Sequence, residues 1–144
     1  MKRIYAVFAV LILGMVTTTA RAQTNLQALP VATAAKSYTV NLTWQNGCAS
    51  GITCTFDAYA CTGTAAACPT NGSQQLWLKL NSSPITALLY QDSRPTVLLP
   101  GVTVSYVVYA NASGQTAGPS NEFTLPLPLA PVAPSSLAAT ATAQ

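Results

Sequence analysis

The chain has 144 residues, of which 50% are hydrophobic and only 6% charged, against a charged share of about 25% in typical soluble domains. It has no histidine, and its only carboxylate side chains are Asp57, Asp92 and Glu122. That composition excludes His-based triads, His-ligated metals and most paired-carboxylate hydrolysis, so no catalytic residue, metal ligand or cofactor site is expected.

Met1-Lys2-Arg3, the apolar run Ile4 to Val16 and the small residues around Ala20-Arg21-Ala22 have the three regions of a secretory signal spanning 1–22. The run of 13 residues is too short for a membrane span, which needs roughly 20. The formal charge of +3 belongs to this leader: without Lys2, Arg3 and Arg21, the basic residues Lys36, Lys79 and Arg94 balance Asp57, Asp92 and Glu122. A neutral body has no clustered cations to bind nucleic acid or anionic lipid. It also has little charge repulsion to keep copies apart. The expected product is secreted, to the extracellular space or a cell surface, with no membrane span after signal removal.

The body is expected over 23–127. Asn25 to Ala32 is a candidate first strand. From Tyr38 the chain alternates Tyr38, Val40, Leu42, Trp44 with Thr39, Asn41, Thr43, the period-2 rhythm of a half-buried strand. Thr53 to Ala60 has strand composition. Leu76, Leu78 and Leu80 alternate with Trp77 and Lys79, predicting a strand with its leucines inward. Ile85 to Gln91 and Thr96 to Leu99 are shorter candidates. Val102, Val104, Tyr106, Val108 and Ala110 alternate with Thr103, Ser105, Val107 and Tyr109, and Phe123, Leu125, Leu127 with Glu122 and Thr124. Seven or eight strands separated by Gly, Pro, Asn and Ser clusters predict an all-β, antiparallel two-sheet sandwich.

The four cysteines, Cys48, Cys54, Cys61 and Cys68, form an even set in an exported chain, so disulfides are expected. If 53–61 is extended, Cys54 and Cys61 lie about 23 Å apart, far beyond the ~5.5 Å of bridged Cα atoms. The local bridges Cys48–Cys54 and Cys61–Cys68 are preferred to the crossed pairing because they close the loops at either end of one strand. The spacing lacks the short knuckle of a zinc site and the Cys-x-x-Cys of a redox site.

Val40-Asn41-Leu42-Thr43-Trp44 resembles the second strand of a fibronectin type III domain, and Leu98-Leu99-Pro100-Gly101-Val102-Thr103 the turn before its sixth. Tyr106 to Ala110, Asn111-Ala112-Ser113-Gly114 and Gly118-Pro119-Ser120-Asn121-Glu122-Phe123 resemble that strand, the hairpin and the last strand. The resemblance covers residues 26 to 127 and implies an immunoglobulin-like sandwich. Two departures stand out: Val104 occupies the place of the family's corner tyrosine, and the Cys-rich stretch 48–68 is not a family feature. Beyond the body, residues 128–144 read as a proline-rich linker and extended tail, in which Leu137, Ala139, Ala141 and Ala143 alternate with small residues like the opening strand of a further repeat.

Four sequons place candidate N-glycosylation at Asn41, Asn71, Asn81 and Asn111, all expected at outward or loop positions. Trp77, Tyr59 and Tyr109 fall on the outward parity and form a candidate binding surface, although a place for Trp77 beneath a neighbouring loop is the preferred reading. The tail residues Leu137, Ala139, Ala141 and Ala143 are candidate strand-donor contacts for a head-to-tail homopolymer. If Asn25 to Ala32 already fills the first-strand position, however, the donated strand finds no vacancy. The function expected is therefore a non-enzymatic structural or surface-assembly protein, with itself as partner through tail addition. The alternative is a monomeric adhesion module for extracellular proteins or glycans.

Overall fold

The computed structural model describes residues 24–33, 36–70 and 76–129. The expected signal at 1–22, Asn71, and the tail residues Leu137, Ala139, Ala141 and Ala143 lie outside them. Eight strands form: β1 (Thr24–Ala32), β2 (Tyr38–Gln45), β3 (Thr55–Thr62), β4 (Leu78–Lys79), β5 (Leu89–Asp92), β6 (Thr103–Ala112), β7 (Gln115–Ala117) and β8 (Phe123–Pro126). One sheet has the order β1-β2-β5. The other has the order β4-β3-β6, with β7 and β8 both along the far side of β6. Every strand pairing is antiparallel. Among the described residues no helix is long and apolar enough to cross a membrane.

The alternation read from the sequence builds the core. Val40, Leu42 and Trp44 of β2 face Phe56, Ala58 and Ala60 of β3 and Val104, Tyr106, Val108 and Ala110 of β6, with Trp44 and Phe56 meeting edge to face at 5.6 Å. Burying the larger of these side chains contributes roughly 1.5–3 kcal/mol each. Val104 sits in this core rather than making a corner bond. The next inward residue, Tyr106, donates its hydroxyl to Asp92 Oδ2 (3.1 Å). Arg94 grips the same carboxylate through Nε (2.8 Å) and Nη2 (2.7 Å). The end of β5 is thus fixed to β6 across the sandwich.

Three sequence expectations are corrected. Thr96 to Leu99 forms a turn closed by Val97 and Leu98 N–H bonds to the Arg94 carbonyl, because Pro95 presets the backbone for a turn and has no N–H to give a ladder. Ile85 to Gln91 yields only the last part of a strand, while Ile85 bridges back to Phe56. β4 shrinks to two residues. Its Leu78 does take the core side, opposite Ala60, yet is 55% exposed, because β4 is the edge strand of the larger sheet and the opposite sheet has only three strands.

Side-chain amides and a hydroxyl complete the pairing where strands break. Beyond β4, Asn81 accepts from the Ala58 N–H (2.9 Å) and donates to the Ser83 carbonyl (2.9 Å). At the irregularity between Thr24 and Gln27, where Asn25 has φ 53°, Leu26 turns to Asn121. That amide accepts its N–H (3.0 Å) and donates to its carbonyl (3.3 Å). Between β7 and β8, Pro119 has no N–H, and Ser120 Oγ accepts from Val108 N–H (3.0 Å). The disulfides are the two local ones, Cys48–Cys54 (Cα–Cα 6.5 Å) and Cys61–Cys68 (6.0 Å), and they suit an oxidising, extracellular environment.

β1 fills the first-strand position. As an edge strand it carries Pro30, which cannot donate to an added strand. The other edges are short: β4 and β5 have two and four residues, and β8 ends in Pro126. Short and proline-bearing edges resist strand addition.

Candidate functional site

The outer face of the larger sheet follows from its register. Tyr59 pairs with Lys79 on one side and Val107 on the other, and Asp57 pairs with Tyr109. Tyr59 and Tyr109 therefore lie on neighbouring strands and meet edge to face, with ring centroids 5.3 Å apart and planes at 73°. Such a pair contributes about 0.5–1.5 kcal/mol beyond its burial. Both rings are half-buried. Burial, and secondarily Tyr59, pushes the Tyr109 phenol above its usual range.

A polar network flanks the rings. Asp57 bonds Lys79 Nζ (2.8 Å), Asn81 Nδ2 (2.9 Å) and Asn111 Nδ2 (3.1 Å), and Thr116 donates to Asn111 Oδ1 (2.6 Å). Burial alone would raise the Asp57 carboxyl, but Lys79 and the two amides outweigh it and hold it below the usual range. The hydrogen bond to Asp57 correspondingly raises Lys79.

The Cys61–Cys68 segment covers the other end of this face. Gly63 N–H bonds the Thr103 carbonyl (2.8 Å), and the Gly63 carbonyl accepts from Ser105 Oγ (3.1 Å). A side chain at Gly63, φ 137°, would put its Cβ 3.0 Å from that of Ala67, so the approach needs glycine. Trp77 is half-buried and donates Nε1–H to the Pro69 carbonyl (3.3 Å). It therefore belongs to this cover and not to an open platform with Tyr59 and Tyr109.

Val107, although on the outward parity, is 1% exposed. Tyr59 lies beside it, and Tyr109 is two residues along β6. Glu122 directly precedes β8, whose Phe123 pairs with Tyr106 and packs into the core. Between this ladder and the Ser120 N–H bond to the Val108 carbonyl the register shifts by one residue, which sets Glu122 beside Val107, on the side away from Tyr59. Its Oε1 is buried without a hydrogen-bond partner. Glu122 had no special role in the sequence reading, because its neighbours come together only when β3, β6 and β8 assemble.

The opposite outer face, on the smaller sheet, carries Leu29 (65% exposed) and Leu89 (62%). Around them lie Gln27, Asn41, Thr43 and Gln91, with shallow depressions on either side of Asn41 and Thr43. Gln91 donates to Asn41 Oδ1 (2.9 Å). Of the sequon asparagines, Asn41 and Asn111 are half-buried on the two outer faces. Asn81, expected at an outward or loop position, lies beyond β4 but is only 7% exposed: its Nδ2 is engaged by Asp57 and Ser83 because the amide substitutes for the missing length of β4.

In this arrangement Asp57 is paired with Lys79 and Asp92 with Arg94. No cluster of three or more His, Cys, Asp or Glu suited to a metal ion occurs among the described residues.

No protein-family profile matches the sequence, and no curated protein does. Solved structures do match. An Fn3-like protein from Clostridium thermocellum aligns with a TM-score of 0.50 and 25% identity over 79% of this chain and 100% of its own. A human fourth FNIII domain aligns at 0.58 and 15% identity over 90% and 96%, and the FN5 domain of Drosophila Lar at 0.50 and 13% over 76% and 98%. With its antiparallel sheets of three and five strands, the chain has a fibronectin type III-like β-sandwich fold, one consistent with a structural or adhesion module.

Proposed function

We propose that this chain is a secreted, non-enzymatic adhesion module that holds an extracellular partner against the outer face of its larger sheet. The observation carrying this reading is the Tyr59–Tyr109 pair, outward on adjacent strands and set in an ordered polar frame. Aromatic rings with polar ends are the side chains that dominate contact energy at protein surfaces. The scarcity of acids and bases supports a non-enzymatic role, since each aspartate is committed to a cation and there is no histidine.

Assembly into a filament by the 137–143 segment is the less supported reading. β1 already fills the first-strand position, and Pro30 blunts its free edge. The test is binding of the purified secreted chain to arrays of immobilised extracellular proteins and glycans, beside a Tyr59→Ala/Tyr109→Ala variant of matched thermal stability. The proposal expects a monomer in solution and at least a tenfold loss of its array binding in the variant. Equal binding by both proteins, or filaments in negative stain, would overturn it.

A further inference from the structure

We infer that the corner formed by Tyr59, Tyr109 and Glu122 around Val107 receives a cationic side chain, arginine or lysine, of the partner. This rests on the adhesion reading above and specifies its chemistry. The charges of the described body pair off as Lys79 with Asp57 and Arg94 with Asp92. Glu122 is left as the carboxylate with no cation and no hydrogen-bond partner for its buried oxygen. Lys36, the remaining cation, lies in the turn between β1 and β2.

Tyr59 pairs with Val107 from β3, while the Tyr106–Phe123 pair and the Ser120–Val108 bond set Glu122 on the opposite flank, two strand spacings or about 10 Å from Tyr59, with Tyr109 two residues along β6 from Val107. Val107 between them is sealed from solvent, and side chains of this length can reach over it from both flanks. Two aromatic faces near a right angle offer negative quadrupoles to a cation. The carboxylate supplies the counter-charge, and its other oxygen, Oε2, is the one that can accept the hydrogen bonds a guanidinium or ammonium must donate. A neutral sugar would use the rings equally well but would gain nothing from the unpaired charge.

The test uses N-acetyl-arginine amide, with N-acetyl-citrulline amide as its uncharged analogue, titrated into the isotope-labelled chain and followed by NMR. The arginine probe is expected to move the ring signals of Tyr59 and Tyr109 saturably, while those of Tyr38, Tyr90 and Tyr106 stay in place. Citrulline is expected to leave all of them unmoved. Glu122→Gln, with an otherwise native spectrum, should weaken arginine binding on the order of five- to tenfold. Equal response to both probes overturns the cationic assignment while leaving this face as the contact surface. Unaltered arginine binding by Glu122→Gln, or no movement with either probe at tens of millimolar, also overturns it.

Discussion

Asp92 is only 2% exposed, a burial that is tolerable because Arg94 contacts both its oxygens and Tyr106 donates to one. Removing the carboxylate strands a half-buried guanidinium and a buried phenol, so Asp92→Ala should cost about 3 kcal/mol. Tyr106→Phe removes one hydrogen bond and should cost about 1 kcal/mol. Urea unfolding of the two variants checks this order. Burial, reinforced by Asp92, lifts the Tyr106 phenol far above its usual range. The folded state therefore holds that proton more tightly than the unfolded state, so the stabilisation is complete below about pH 10 and declines as pH rises beyond it. Tyr106→Phe should flatten this alkaline decline. Asp57 has the opposite sign: its lowered pKa gives stability that is present above about pH 4 and lost as pH falls through the folded value. Asp57→Asn should flatten the acid limb of the unfolding curve. The outward parity of Tyr59 and Tyr109 was legible in the sequence, since alternation alone fixes it. The roles of Asp57 and Asp92 were not, because their partners come from other strands or a turn.

At the level of elements, β2 and β6 follow their sequence rhythm because each is central and buried on its inner face, where a one-residue slip would expose every apolar side chain. The edge elements do not. β4 ends where the Asn81 amide takes over the pairing, and 96–99 turns because of Pro95, features that local alternation does not weigh. Asn81→Ala should leave the Ala58 N–H unpaired and cost about 1–3 kcal/mol. Asn81→Asp keeps the acceptor but sets a second carboxylate against Asp57, and should be destabilising chiefly above pH 4. Calorimetry across pH separates the two. The disulfides also differ in their setting. Their loops are of similar length, with separations of 6 and 7 residues, so loop entropy alone predicts nearly equal losses of about 2–3 kcal/mol. Because Cys61–Cys68 also holds the cover over Ser105, Cys61→Ala/Cys68→Ala should cost more than Cys48→Ala/Cys54→Ala. It should also raise hydrogen exchange at Thr103 to Val107. Equal losses with no change in exchange would mean that the cover contributes nothing beyond ring closure.

On the scale of the whole molecule, the sandwich presents two unlike faces. The smaller sheet offers exposed leucines among neutral amides and hydroxyls, and the larger offers a tyrosine corner within an ordered polar frame. The composition pointed away from proton transfer and first toward surface assembly, with an adhesion module as the alternative; short and proline-bearing edges now favour the alternative. The most direct measurement compares array binding of two face variants, Tyr59→Ala/Tyr109→Ala and Leu29→Asn/Leu89→Asn, both monomeric and fully folded at the assay temperature. Binding should fall at least tenfold in the tyrosine variant and persist in the leucine variant. Retention by the tyrosine variant with loss in the leucine variant would contradict the proposed binding face.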